Sequence, residues 1–213
     1  MIKLVVFDLD GTLVDSLNDI VSSLNFVLGK YNGRQVSVNH VKKFIGLSLN
    51  NLIIDSLSGS AVDLSKVREE FLSNYHQNLL QTLKPYNEVV ELLQYLYENN
   101  IKQCVLTNSL EASARKIISH LGWDKYFEMI VAPDTYGFRK PDPGGLIEIL
   151  AKYSFSKDEI IMVGDTQADI MVAKAVDIKC ISVLYGYQNK KNLIEYQPDY
   201  FVSGPREIIP ILD

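Results

Sequence analysis

The sequence predicts an α/β protein, a Rossmann-like doubly wound parallel sheet with a helical cap domain inserted after the first strand. Three observations predict it. From Tyr86 onward, apolar runs of strand length alternate with helical patterns. Between the first strand and the second lie residues 16 to 84, far more than the roughly 30 residues a βαβ unit needs. The most distinctive polar residues follow the apolar runs, at the sheet edge where open α/β folds bind ligands.

The opening run Val5-Val6-Phe7 reads as the first strand and leads into Asp8-Leu9-Asp10-Gly11-Thr12-Leu13-Val14-Asp15-Ser16. Strand side chains alternate faces, so Asp8 and Asp10 share a face at its carboxyl end, and Gly11 lets the chain turn away. Two like charges there need a cation or a proton between them. Taken alone, the segment reads equally well as an acidic turn after a buried strand. A calcium loop is excluded, because Leu13 and Asp19 stand where that pattern, counted from Asp8, wants Gly and Glu.

Residues 16–82 are read as the cap. Leu17, Ile20, Val21, Leu24, Val27, Leu28 and Tyr31 recur at helical spacing, as do Leu64, Val67, Phe71, Tyr75, Leu79 and Leu83. Residues 1–15 and 83–213 form the core domain. Its expected elements are helix 87–98, strand 101–106, helix 110–121, strand 128–132, helix 144–153, strand 159–163, helix 167–176 and strand 179–184. A weaker strand, Tyr200 to Val202, and a terminal helix from Pro205 to Leu212 close the fold. Near-continuous apolar runs such as Ile160-Ile161-Met162-Val163 suit strands covered on both faces.

Three further motifs follow core strands. Leu106-Thr107-Asn108-Ser109 offers a hydroxyl, an amide and fresh helical N–H groups, a phosphate cradle; Asn108 and Glu111 are also spaced as a capping box. In Arg139-Lys140-Pro141-Asp142-Pro143, two prolines stiffen the backbone around Lys140, which reads either as a fixed ammonium or as a solvated loop lysine. In Gly164-Asp165-Thr166-Gln167-Ala168-Asp169, Thr166 and Asp169 match a capping box, but capping leaves Asp165 unexplained. Together the site sets Asp8, Asp10, Asp165 and Asp169 against Lys140. That excess of negative charge calls for a hard divalent cation with oxygen ligands, Mg²⁺ being the expected one.

Composition narrows the class. The chain has 213 residues, 47% hydrophobic and 22% charged, an ordinary globular balance. A net charge of -5 disfavours nucleic acid or an anionic membrane as partner and suits a small molecule. Cys104 and Cys180 lie in apolar runs and read as reduced core residues. His40, His76 and His120 stand far apart, without metal-ligand spacing, and read as surface or helix-face residues. The opening stretch lacks the marks of a signal peptide and no run reaches transmembrane length, so a cytoplasmic protein is expected, as a monomer or homodimer whose state the sequence does not set.

At these residues the chain resembles the haloacid dehalogenase superfamily, along its whole length. Phosphatase members of that superfamily carry the pattern Asp8-x-Asp10-Gly11-Thr12, the step Thr107-Asn108, Lys140-Pro141, and Gly164-Asp165-x-x-x-Asp169. The resemblance implies that Asp8 attacks phosphorus, and that Asp10 protonates the leaving oxygen and then activates the water that hydrolyses the aspartyl phosphate. It implies Mg²⁺ on the Asp8 carboxylate, the Asp10 main-chain carbonyl and Asp165. Thr107 and Lys140 would hold the phosphoryl oxygens, and Asp169 would support the metal or the lysine. Dehalogenases proper differ at the position of Asp10.

Among the phosphatases, the chain is most similar to the phosphoglycolate phosphatase branch, on Val14-Asp15-Ser16, Phe44-Ile45-Gly46, Tyr185-Gly186-Tyr187 and Gln197-Pro198-Asp199-Tyr200. Gly46 also reads as a helix C-cap, and Tyr185 to Tyr187 as a turn with packing aromatics. The β-phosphoglucomutase branch carries a histidine where this chain has Ile20, and an arginine near Leu49 or Asn50. Mutase activity is therefore disfavoured. Behind 2-phosphoglycolate stand nucleotide or sugar phosphates and pyrophosphate as substrates, and, from another class, a catalytically silent binding protein.

Overall fold

The structure is a computed structural model that describes residues 1–45, 49–57 and 62–213. Gly46 of the expected Phe44 to Gly46 loop lies outside the described residues, as do the side chains of Leu49 and Asn50. The chain forms two compact units, Met1–Asp15 with Pro85–Asp213, and Ser16–Lys84.

The first unit is built on β1 (Leu4–Phe7), β4 (Lys102–Leu106), β5 (Met129–Val131), β6 (Ile160–Gly164), β7 (Lys179–Val183) and β8 (Tyr200–Val202); β2 (Val14–Asp15) and β3 (Lys84–Pro85) lie outside its sheet. The order is β5-β4-β1-β6-β7-β8, every pair parallel. β1 is the hinge of the topology: the chain first adds strands on one side of it and then crosses to the other. In registers Phe7↔Val105 and Phe7↔Val163, it ends one residue before both neighbours. Reversal of strand order opens a crevice at the carboxyl edge, where doubly wound sheets take their ligands.

The sheet is buried on both faces, as its unbroken apolar runs require. Leu4, Val6, Cys104, Met162 and Cys180 are fully buried in its core, and both cysteines are free thiols. Helices α5 (Val89–Glu98), α6 (Glu111–His120), α7 (Pro133–Tyr136), α8 (Gly144–Leu150), α9 (Gln167–Ala175) and α10 (Lys190–Leu193) complete the unit.

Several ends differ from expectation. α5 starts at Val89 rather than residue 87, because Glu88 has φ +66°, a left-handed conformation that cannot continue a right-handed helix. The terminal segment Pro205–Ile211 is a 3₁₀ helix, not an α-helix; Pro210 lies inside it and has no N–H for an α-type bond. α8 stops at Leu150, three residues short of the expected end.

In the second unit, α1 (Leu17–Lys30), α2 (Val38–Lys42), α3 (Leu49–Leu57) and α4 (Leu64–Asn78) pack together. α1 buries Leu17, Leu24, Val27 and Leu28, and α4 buries Val67, Phe71 and Tyr75. Leu64, expected on that stripe, sits exposed in the first turn of α4 behind its Asp63 cap. His40 rests with Nε2 3.0 Å from Asp55 Oδ2.

Buried Asp19 of α1 ties the helix to the returning chain, accepting from Leu80 N at 3.0 Å, Thr82 N at 2.9 Å and Thr82 Oγ1 at 2.5 Å. Replacing Asp19 by Ala leaves these donors without their acceptor. The expected loss of stability is about 2–4 kcal/mol in chemical denaturation. A loss under about 0.5 kcal/mol would show that water satisfies the donors.

Candidate active site

Asp8 directly follows β1, and its N–H donates to Val163 O at 2.9 Å, extending the β1–β6 ladder by one residue. The next turn closes on Leu9, whose carbonyl accepts from the N–H groups of Thr12, Leu13 and Val14. Gly11 has φ +96°, and a Cβ there would stand 2.4 Å from Asp165 Oδ2. The turn that follows Asp10 therefore admits only glycine.

Asp165 directly follows β6, and Lys140 lies after β5 and α7 in the loop that leads to α8. Lys140 is buried, with Nζ 2.7 Å from Asp8 Oδ1 and 2.7 Å from Asp169 Oδ1. The other Asp169 oxygen accepts from Thr166 N at 3.0 Å and Thr166 Oγ1 at 2.8 Å, so the capping box at α9 does form. It aims the carboxylate at Lys140. Gly164 is required next door, since a Cβ would fall 2.2 Å from Asp169 Cγ. Asp165 is fully buried; its carboxylate accepts from Tyr187 N at 2.8 Å and lies 3.5 Å from the Thr12 hydroxyl.

The Thr107-Asn108-Ser109 step is arranged differently from a helix cap. Leu110 is the N-cap of α6, without a side-chain bond, and the Asn108–Glu111 capping box is not made. Asn108 is engaged elsewhere: its amide donates to Lys140 O at 3.0 Å and accepts from Lys140 N at 2.8 Å. Its place is beside the lysine backbone, which it clamps. Arg139 adds a bond to Asn108 O at 3.0 Å. Thr107 is buried just past β4, where its Oγ1 accepts from Ser109 N at 3.0 Å. Ser109 in turn donates to Asp10 Oδ2 at 2.6 Å.

Asp8, Asp165, Asp169 and Lys140 thus converge, whereas the Asp10 side chain turns towards Ser109. Two contributors escaped the sequence reading. The Ser109 hydroxyl was hidden behind the cap pattern, and the Tyr187 main chain has no residue signature. Position after β7, at the same sheet edge, was the available signal for Tyr187.

Burial dominates the electrostatics. It pushes the Asp8 carboxyl up to about 7 against the pull of the Lys140 ammonium, with Asp169 and Asp10 adding to the rise. Burial likewise holds Asp165 well above the carboxylate range, reinforced by Asp8 and Asp169. Burial alone would lower Lys140, but Asp169 and Asp8 outweigh it and keep the ammonium charged. Among the described residues, Asp8, Asp165 and Asp169 each offer a carboxylate oxygen within 4.8 Å of the others. Three buried carboxylates facing one ammonium, with oxygen donors only, fit a hard divalent cation.

The family model for haloacid dehalogenase-like hydrolases matches residues 5–183. The chain belongs to that family. This haloacid dehalogenase-like hydrolase is 31% identical over 215 residues to a phosphoglycolate phosphatase of Aquifex aeolicus, covering 99% of this chain and 97% of the relative. It is 28% identical over 219 residues to phosphoglycolate phosphatase 1 of Pseudomonas aeruginosa, covering 99% of this chain and 80% of the relative. A crystal structure from Haemophilus somnus, of a protein described as a predicted phosphoglycolate phosphatase, superposes with TM-score 0.91 at 27% identity. It covers 100% of this chain and 98% of that one. Within the family, the hydrolase stands with the phosphatases, in the phosphoglycolate phosphatase-like branch. No helix among its described residues is long and apolar enough to cross a membrane.

Proposed function

We propose that this hydrolase is a Mg²⁺-dependent phosphatase of small organic phosphate monoesters, with 2-phosphoglycolate the leading substrate, acting through a phosphoryl group carried on Asp8. The observation that carries this reading is the Lys140 ammonium bound equally to Asp8 and Asp169 beside buried Asp165. An ammonium so placed holds Asp8 in orientation and offers charge to the phosphoryl oxygens, and phosphoryl transfer depends on positioning and neutralisation more than on any other help.

Asp8 Oδ attacks phosphorus as the bond to the leaving oxygen breaks, and Asp10, protonated, gives that oxygen its proton. Asp10 as carboxylate then takes a proton from water as the water attacks phosphorus, which frees phosphate and returns Asp8 as a carboxylate. Thr107, past the end of β4, would meet a phosphoryl oxygen. Asn108 serves by clamping the Lys140 backbone. Asp8, Asp165 and the Asp10 main-chain carbonyl would hold Mg²⁺, with Asp169 in support. When bound, the ion supplies the positive charge that lets an anionic ester approach these carboxylates. Residues 16–82 are assigned as the cap that selects the substrate and excludes water during the reaction.

Phosphate release from 2-phosphoglycolate, nucleotide monophosphates, sugar phosphates and pyrophosphate, each with Mg²⁺ and with EDTA, tests the reading. Turnover should be greatest with 2-phosphoglycolate and vanish in EDTA. Turnover that survives EDTA contradicts the metal assignment; preference for another ester contradicts the substrate.

A further inference from the structure

We propose that Ser109 is the positioning residue that orients Asp10 for its proton transfers, an assignment that rests on the phosphatase reading above. The two residues are 99 apart in sequence, yet the Ser109 hydroxyl donates to Asp10 Oδ2 at 2.6 Å. That length lies at the short end of the range for O–H···O bonds, about 2.5–3.0 Å.

The surrounding bonds explain why a hydroxyl at position 109 can do this. The turn closing on Leu9 O fixes the Asp10 main chain but leaves its side-chain torsions to be set by whatever the carboxylate meets. Ser109 is fixed from its own side. Its N–H is held by Thr107 Oγ1, the Thr107 N–H is held by Val131 O at 3.0 Å, and Asn108 is bonded through its amide to the Lys140 main chain. A side chain on so constrained a backbone has one heavy-atom torsion, and Ser109 points it at Asp10.

The consequence is a division of labour along three consecutive residues. Thr107 is placed for the phosphoryl group, Asn108 sets the lysine and Ser109 sets the acid. The bond from Ser109 to Asp10 Oδ2 helps fix the plane of the carboxyl group, and with it the direction of proton exchange with the leaving oxygen and the incoming water. Losing the hydroxyl removes a short bond that helps hold the carboxyl group in its rotamer, so that the proton is misplaced in more encounters.

This differs from a structural role in its dependence on the leaving group. An alkyl ester such as 2-phosphoglycolate expels a strongly basic alkoxide that needs the proton. p-Nitrophenyl phosphate expels a weakly basic phenolate that departs almost unaided. The test is kcat/KM with Mg²⁺ for both esters in wild type, Ser109→Ala, Ser109→Thr and Asp8→Asn. Ser109→Ala should lose about 30-fold on the alkyl ester and about threefold on the aryl ester, and Ser109→Thr, which keeps the hydroxyl, should recover most of the difference. Ser109 is half-buried, and Ala preserves its backbone bond to Thr107, so both variants are expected to fold.

Equal losses on the two esters, or no loss on either, overturn the assignment. If wild type turns over and Asp8→Asn does not, either of those results overturns the Ser109 assignment alone. A wild type inert towards both esters overturns the phosphatase reading, and the assignment with it.

Discussion

Asp8→Asn should lower kcat by about 10⁴-fold or more, the scale expected when a covalent nucleophile is removed, and leave the fold intact. Asn matches the carboxylate in shape, so the β1–β6 ladder bond from residue 8 to Val163 O persists. The amide cannot attack phosphorus. The same substitution carries a stability signature. In the metal-free protein, burial keeps Asp8 protonated up to about pH 7, whereas the unfolded chain releases that proton near 3.8. Between those values the folded state binds the extra proton, so unfolding releases it and stability falls as pH rises through 7.

Metal-free wild type should therefore melt at lower temperature at pH 8 than at pH 5, and Asp8→Asn should flatten that slope. Mg²⁺ should stabilise wild type more at the higher pH, where its carboxylate ligands are ionised. Differential scanning fluorimetry across pH, with Mg²⁺ and with EDTA, checks both statements. A variant that keeps turnover, or a wild type whose metal-free stability rises from pH 5 to 8 as steeply as that of Asp8→Asn, contradicts the account of Asp8.

Lys140→Met should be the second most damaging change. Met has nearly the volume of Lys but no charge, so it leaves Asp8 and Asp169 facing each other without the ammonium at 2.7 Å from each. Breaking a buried ion pair from one side costs roughly 3–5 kcal/mol, although protonation of Asp8, whose carboxyl the ammonium no longer holds down, will recover part of that. kcat should fall by about 10²–10³-fold, as for removal of a preorganised donor to a transition-state oxyanion. Chemical denaturation and steady-state kinetics measure the two effects separately. Wild-type kcat in a stable Lys140→Met protein would mean that the lysine is a structural counter-ion only.

Much of this site could be read from residue order. Asp8 and Asp165 directly follow apolar runs and Lys140 lies in the connection after a third, and a parallel sheet brings the carboxyl ends of such runs to one edge whatever the intervening helices do. The local signals were less decisive where two partners compete for one side chain. Asn108 and Glu111 have capping-box spacing, but the Asn108 amide is taken by the Lys140 backbone, 32 residues away in sequence. Thr166 and Asp169 have similar spacing and do form the box, because Asp169 has a second oxygen for Lys140. Main-chain donors such as Tyr187 N–H carry no side-chain identity at all, so only the fold reveals them. At helix ends, the positive φ of Glu88 and the interior Pro210 decided the outcome; the first leaves no trace in an apolar periodicity.

The central claim is that the phosphoryl group passes through Asp8. An Asp10→Asn variant given p-nitrophenyl phosphate and Mg²⁺ should form the phosphoryl-enzyme, since this leaving group hardly needs the acid, and should hydrolyse it slowly for want of the base. Acid quenching during turnover, followed by mass spectrometry of the peptides, reads the result directly. The account predicts a phosphoryl group on Asp8, with a burst of nitrophenolate approaching one per protein molecule. A phosphoryl group on any other residue, or phosphate release at an undiminished rate with Asp8 unmodified, would contradict it.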